Sequence, residues 1–257
     1  MENYYFYGNL CSWFYDIDKP FPNKKDLDFY LSFVDKGMNI LEPMCGSGRF
    51  LVSFIEKGFD IDGFDLSKDM IERCKNKIEE LDIKYKNLLQ CCDFNKFTSS
   101  KNYDFIFIPS CSFSLIIKKI DIINKLKILE KLNKQNGKLL IELLINEDIG
   151  KSGISDVYYR DRVVKQDNFE IVLSCKTIGI NEEENVKYSI FKYELYEDGI
   201  YIRAEEEKFN VKYYIPIEFE NYLEKTSYKI VNKYINNEKE KYTDQKIEKI
   251  IYELIKE

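Results

Sequence analysis

The sequence predicts an α/β protein built on a doubly wound, mostly parallel sheet. Three features carry that prediction. Between residues 38 and 145, short apolar runs alternate with segments whose apolar residues recur at helical spacing, the pattern of strands and crossover helices. A glycine-bearing turn joins the first such run to the first helical segment. Beyond residue 150 come stretches rich in Val, Ile, Tyr and Phe, separated by polar turns. These predict an antiparallel β elaboration rather than an independent second domain.

Residues 1–36 are aromatic and weakly periodic, with Tyr4, Tyr5, Phe6, Tyr7, Trp13, Phe14 and Tyr15 ahead of a Pro20-Phe21-Pro22 break. A helix is expected over 24–35. So many aromatics suit either a lid over a pocket or an arm packed on the domain. Met38 to Leu41 predicts the first strand. Phe50, Leu51, Phe54 and Ile55 then fall at helical spacing, and Gly58 can close that helix. Phe59 to Asp65 reads as the second strand. Ser67 is a good N-cap for the next helix, whose Ile71, Cys74, Ile78 and Leu81 form one buried stripe. Leu88 to Cys92 and Tyr103 to Ile108 are the third and fourth strands. Ile120, Ile123, Leu126, Leu129 and Leu132 form a further stripe that Asn136-Gly137 ends, and Lys138 to Ile145 is the fifth strand.

The elaboration is expected as strands over 157–164, 169–180, 186–196 and 200–215. Pro216 then opens a helix over 217–225 and Tyr228 to Ile235 forms a strand. The tail, with Ile247, Ile250, Ile251, Leu254 and Ile255, has helical spacing, but the topology asks for a final strand, which is the reading adopted. The partition is thus a single domain over 1–257. It comprises a lid segment 1–36, a cofactor-binding core 38–150, the β elaboration 151–215, and a C-terminal part of the core sheet, 216–257.

Composition narrows the function. A chain of 257 residues with 44% apolar content can bury a proper core. No stretch approaches the ~18–20 apolar residues of a membrane span. The N-terminus MENYYFYGNL lacks the basic and apolar regions of a secretory signal. A soluble, cytoplasmic protein is expected. The net charge of −6 speaks against non-specific nucleic-acid binding. Lys118, Lys119, Lys125, Lys127, Lys131 and Lys134 read as a solvated helix face, and Glu182 to Glu184 and Glu205 to Glu207 as solvated turns and faces. Histidine is absent, which removes Ser-His-Asp and Cys-His mechanisms, His-ligated zinc and a histidine base. Seven cysteines without a Cys-x-x-Cys pair fit reduced thiols rather than zinc or a disulfide framework. Cys91 and Cys92 read as core packing. No metal site is expected.

The informative segment is 40–110. A glycine turn between strand and helix lets backbone approach a ligand, and the helix N-terminus offers free N–H groups to its negative end. Roughly 20 residues on, an acidic residue closing the next strand can accept both ribose hydroxyls. That residue is Asp65. A nucleoside cofactor is implied. A dinucleotide fingerprint wants a third glycine where Leu51 stands, so a mononucleoside with an amino-acid tail fits better. Asp93 can accept from an adenine amino group, and Leu66 and Met70 can sandwich the ring. The competing readings are a tight turn for Gly46 and Gly48, a helix cap for Asp65 and core packing for Met70.

Ile40-Leu41-Glu42-Pro43-Met44-Cys45-Gly46-Ser47-Gly48-Arg49 resembles the first motif of the class I S-adenosylmethionine-dependent methyltransferases. Gly63 to Ser67 resembles their acidic ribose loop and Cys92-Asp93-Phe94 their adenine loop. Asp104 to Ser110 is similar to their fourth-strand motif, and Asn136-Gly137-Lys138 to the turn before their fifth strand. The resemblance implies a Rossmann-like, seven-stranded sheet and S-adenosylmethionine as cofactor. Gly46, Ser47 and Gly48 would line the methionine moiety and Glu42 would hold the loop or the sulfonium side. Asp65 would bind ribose, flanked by Leu66 and Met70. Cys92, Asp93 and the Phe94 amide would read adenine, and Ile108 and Ser110 would face the amino-acid end and the transferred methyl. Trp13 to Asp16 resembles the lid of the small-molecule N-methyltransferase branch, which gives Tyr15 the methionine carboxylate. Trp13, Phe113, Tyr158 and Arg160 are candidates for the acceptor pocket.

Two departures matter. Ile108-Pro109-Ser110-Cys111 is not the Asn/Asp-Pro-Pro-aromatic signature of enzymes that methylate base amines or glutamine amides. Pro43-Met44-Cys45 stands where a glycine is more usual. The expected function is methyl transfer to a small molecule, at nitrogen, by in-line displacement without histidine or metal, in a monomer or homodimer. The alternatives are RNA or protein methylation and a non-catalytic S-adenosylmethionine-binding module.

Overall fold

A computed structural model describes residues 7–81, 85–145, 153–237, 239–243 and 247–257. Tyr4, Tyr5 and Phe6, and the boundary at Gly150, lie outside the described residues. The main sheet has β1 (Ile40–Pro43), β2 (Ile61–Asp65), β3 (Leu89–Cys91), β4 (Tyr103–Ile108), β5 (Asn133–Leu144), β10 (Tyr228–Tyr234) and β11 (Lys249–Lys256). They run in the order β10-β11-β5-β4-β1-β2-β3. The five strands from β5 to β3 are parallel; β11 is antiparallel to both its neighbours. The tail is therefore a strand, as the topology asked. β1 pairs with β2 on one side and β4 on the other, so the chain reverses its winding there. The carboxyl ends of strands at such a switch point open a crevice.

Side chains alternate across this sheet, and both faces are covered. Leu41, Ile106, Ile108, Ile141 and Tyr252 pack on one face with Leu126 and Leu129. Ile40, Phe105, Phe107, Leu140 and Ile251 pack on the other with Phe50, Leu51, Phe54 and Ile71. The covering helices are α3 (Arg49–Glu56), α4 (Lys68–Glu80), α5 (Lys119–Leu132) and α6 (Pro216–Leu223), with α2 (Lys24–Leu31) beside α3. Strands buried on both faces read as continuous apolar runs, which is why the core was legible.

Between β5 and α6 the chain builds a separate antiparallel sheet in the order β6-β7-β8-β9: β6 (Tyr159–Gln166), β7 (Phe169–Asn181), β8 (Val186–Glu197) and β9 (Ile200–Lys212). The N-terminal segment forms α1 (Asn9–Asp18), which lays Leu10, Cys11 and Phe14 against Val164, Ile171, Leu173, Tyr193 and Leu195 of that sheet. It also lies against α4: Asp16 accepts from Lys77 at 2.6 Å, and Arg73 donates to Ser12 at 3.0 Å. α1 thus bridges the elaboration and the core.

Several expectations need correction. Ile120 is exposed, and the buried stripe of α5 is Ile122, Leu126 and Leu129 with Lys125 among them, because Ile120 sits in the first turn on the solvent side. Lys125 is accordingly not part of a solvated face. β5 starts directly after α5, and Asn136, at φ 61°, and Gly137 lie inside it where its pairing with β4 shifts register. Helix α2 ends at Leu31 rather than 35. Cys91 is exposed and Cys92 half-buried, since the three-residue β3 is the sheet edge. Glu205 and Glu207 are buried, whereas Glu182 to Glu184 are exposed.

Candidate active site

A cavity of about 550 Å³ opens at the switch point, between the carboxyl ends of β1, β2 and β4, α1 and the antiparallel sheet. Its first wall is Gly46, Asp65, Leu66, Met70, Cys92, Asp93 and Phe94. The turn after β1 holds Met44, Gly46 and Gly48 at φ 58°, 55° and 79°, which carries the backbone round without a long loop. Asp65 fastens it. One carboxylate oxygen accepts from the Gly46 N–H and the other from the Ser67 N–H, both at 2.9 Å. Burial pushes its carboxyl up from the ordinary range, opposed by those two bonds. The α4 cap is Ser67, whose Oγ accepts from Met70 N at 3.1 Å and donates to Tyr7 O at 2.7 Å. Asp93 accepts from the Asn95 N–H at 2.8 Å and starts the short turn Phe94–Lys96.

The second wall carries Tyr15, Glu42, Arg49, Ser110, Cys111 and Glu142. Glu42 is buried, and among the described residues its Oε2 has no hydrogen-bond partner. Burial pushes its carboxyl well above the usual range, although Arg49 pulls the other way. Arg49 donates to Ser110 Oγ and lies beside the Tyr15 ring at 5.9 Å, while its buried Nε also has no partner among the described residues. An orphaned acceptor and an orphaned donor of opposite charge are what an amino-acid ammonium and carboxylate would complete. Ser110 and Cys111 both have left-handed backbone, at φ 59° and 56°. Glu142 holds this loop by accepting from Ser110 N at 2.6 Å, and Lys249 pairs with it at 2.5 Å.

The third region lies under the antiparallel sheet and is lined by Cys11, Phe14, Leu173, Phe191, Tyr193, Glu207, Phe209 and Val211. Glu207 Oε2 accepts from the Tyr7 N–H at 2.8 Å and Oε1 from the Tyr193 hydroxyl at 3.1 Å. Glu205 accepts from Leu10 N at 2.9 Å, satisfying a free donor of the α1 N-terminus.

Of the residues singled out by sequence, Tyr15, Glu42, Gly46, Asp65, Leu66, Met70, Cys92, Asp93, Phe94 and Ser110 line the cavity. The others do not. Ser47 accepts from Lys77 at 3.2 Å behind the turn. Gly48 faces α4, where a Cβ would lie 2.4 Å from Cys74 Sγ. Ile108 is core. Phe113 packs on Phe219. Trp13 packs on Phe169 and donates to Gln166. Tyr158 donates to Glu206 at 2.7 Å, and Arg160 pairs with Glu170. Arg49, Cys11, Tyr193, Glu207 and Phe209 are among the lining residues to which the sequence reading gave no site role. A signal existed: Glu205, Glu207, Phe209 and Val211 share one face of β9 by alternation, in phase with apolar residues.

A family model described as a methyltransferase domain matches residues 34–170. The chain belongs to the class I S-adenosylmethionine-dependent methyltransferases. A protein of Geobacillus sp. (strain WCH70), named as a methyltransferase, is 22% identical over 72% of this chain and 75% of its own length. Among solved structures, an S-adenosylmethionine-dependent methyltransferase from Clostridium acetobutylicum ATCC 824 superposes with a TM-score of 0.77 at 19% identity, covering 95% of this chain and 96% of that one. The sugar N-methyltransferase KedS8 from Streptoalloteichus sp. ATCC 53650 gives 0.71 at 13% identity, covering 98% and 97%. Coverage this complete takes in α1 and the antiparallel sheet, so the fold is shared over nearly the whole chain. The methyltransferase uses S-adenosylmethionine, and the cavity's chemistry fits that cofactor: a carboxylate at the end of β2, apolar side chains beside it, and the orphaned Glu42 and Arg49 atoms.

Proposed function

We propose that this methyltransferase transfers a methyl group to a nitrogen atom of a small molecule. The observation that carries the reading is the chamber under the antiparallel sheet, roofed by α1, aromatic in lining and holding the buried carboxylate of Glu207. A cavity of about 550 Å³ has the size of small-molecule sites, and a net charge of −6 does not favour a polyanion. KedS8, of the same architecture, is named for N-methylation of a sugar, which supports a small acceptor.

In this reading Asp65 binds the ribose hydroxyls, Asp93 and the Phe94 N–H hold the adenine, and Leu66 and Met70 flank it. Glu42 and Arg49, with Tyr15 beside them, hold the amino-acid end, and Gly46 lets the backbone approach. Ser110 borders the reaction space. Gly48, Ser47 and Ile108 act from behind, by fixing the turn and the sheet. When bound, the cofactor supplies an electrophilic methyl on a cationic sulfur. The protein aligns the nucleophile and excludes water, which can supply about 7–11 kcal/mol of the barrier. Aromatic faces and carboxylates stabilise the positive charge of a methylated amine. Incubating metabolite extracts with methyl-labelled cofactor and reading products by mass spectrometry tests the assignment. Label recovered on oxygen or carbon, or on RNA or protein, would defeat it.

A further inference from the structure

We propose that Glu207 is the proton acceptor of this enzyme, and that its substrate is a primary or secondary amine that enters as an ammonium ion. This rests on the nitrogen-methylation reading and adds to it a residue and a substrate class. Four observations support it. Glu207 is only 3% exposed, yet borders the cavity. Among the described residues no lysine or arginine forms an ion pair with it, whereas its neighbour Glu205 pairs with Arg203. Its hydrogen-bond donors, the Tyr7 N–H, the Tyr193 hydroxyl and the Cys11 thiol, are neutral, and a carboxylate has about four acceptor positions, so room remains for one ligand donor. Phe14, Phe191, Tyr193 and Phe209 line the same part of the cavity, and aromatic rings attract an ammonium ion.

The site also lies next to the cofactor wall. Tyr7 accepts from Ser67 Oγ through its carbonyl and donates to Glu207 through its N–H. One residue therefore spans the distance from the loop after Asp65 to the carboxylate. An unpaired buried carboxylate is costly, and the protein relieves the cost by holding a proton there. Burial, with Glu205 on the same strand, pushes the Glu207 carboxyl up to about 7, against the hydrogen bonds from Cys11, Tyr7 and Tyr193. These are the titratable groups that face it, from the N-terminal segment, β8 and β9. A carboxylate so placed is matched to removing a proton near neutral pH.

The step balances as follows. Glu207 takes one proton from R–NH3⁺, and the N–H bonding pair stays on nitrogen. That pair forms the N–C bond as the C–S pair returns to sulfur. R–NH2–CH3⁺ and a neutral thioether result, and the carboxyl proton passes to solvent when the products leave.

The test is titration calorimetry of the protein saturated with S-adenosylhomocysteine, using benzylamine and its neutral isostere benzyl alcohol as probes, at about pH 8 and about pH 5.5. Wild type at the higher pH should bind the ammonium probe at least about tenfold more tightly than the alcohol. The preference should fall to under about threefold at the lower pH, as Glu207 takes up its proton. Glu207→Gln should show no preference at either pH, with S-adenosylhomocysteine affinity within about twofold of wild type. Equal binding of the two probes by wild type, or a preference that persists in the Gln variant, overturns the proposal. The wild-type pH comparison decides the matter if the variant does not fold. Failure of the nitrogen reading is seen separately, in the atom that carries the label in the extract screen.

Discussion

Replacing Gly48 by Ala separates a turn residue from a ligand residue. Gly48 is the N-cap of α3 and has φ 79° and ψ 26°. An L-residue there costs roughly 1–2 kcal/mol. The new Cβ would meet Cys74 Sγ at 2.4 Å and Val52 Cγ2 at 3.0 Å. Cys74 is fully buried in α4, so the helices must part, at a typical overpacking cost of about 1–3 kcal/mol. Together Gly48→Ala should lose about 2–5 kcal/mol, which at ~2–4 °C per kcal/mol lowers the melting temperature by about 4–20 °C. Adding Cys74→Ala removes the sulfur but not the backbone strain. Relative to the Cys74→Ala single variant, Gly48→Ala should then cost only about 1–2 kcal/mol. Thermal and urea unfolding of the four proteins measure the cycle. If Gly48→Ala leaves stability intact and weakens S-adenosylhomocysteine binding instead, the packing argument fails and Gly48 faces the cofactor.

Asp65→Asn puts an amide against the Gly46 and Ser67 N–H groups; with charged hydrogen bonds worth about 1.5–3 kcal/mol, cofactor-product affinity should drop at least about tenfold by calorimetry, and unchanged affinity would remove the ribose assignment. Lys77→Met removes the α4 ammonium that donates to Asp16 of α1 and to the Ser47 carbonyl; amide exchange in residues 9–18 should quicken by about tenfold for each 1.4 kcal/mol lost, while β4 stays protected. Glu207 has its folded pKa at about 7 against an ordinary 4.5, so the folded state holds more protons between those values. Stability must therefore fall as pH rises through that window, by up to roughly 3 kcal/mol. The Gln variant should show a flatter profile in chemical unfolding; an identical slope in both proteins would mean that Glu207 is not the buried acid described.

The core sheet was readable because each parallel strand is buried on both faces and its apolar run survives in one dimension, as at Tyr103 to Ile108. The cavity wall proposed for the cofactor was readable because the turn after β1 and the carboxylate ending β2 are local features at a fixed spacing. The acceptor region was not. Trp13, Phe113, Tyr158 and Arg160 have suitable chemistry, but two pack on other rings and two pair on the outer face or rim of the antiparallel sheet. Glu205 and Glu207, with Glu206 between them, looked like a charged run. Only the strand alternation separates the outward Glu206 from its inward neighbours.

The sequence by itself determined the strand and helix alternation, the nucleoside cofactor and the chemistry that the absence of histidine removes, since these follow from composition and short-range spacing. Tertiary structure alone decided that α1 closes over the antiparallel sheet, that Tyr7 joins Ser67 to Glu207 across 140 residues of intervening chain, and that Gly48 serves packing. The reason is that burial and charge pairing depend on which distant segments meet. A carboxylate's role changes from solvated ornament to reactive group when a helix from the other end of the chain removes its water.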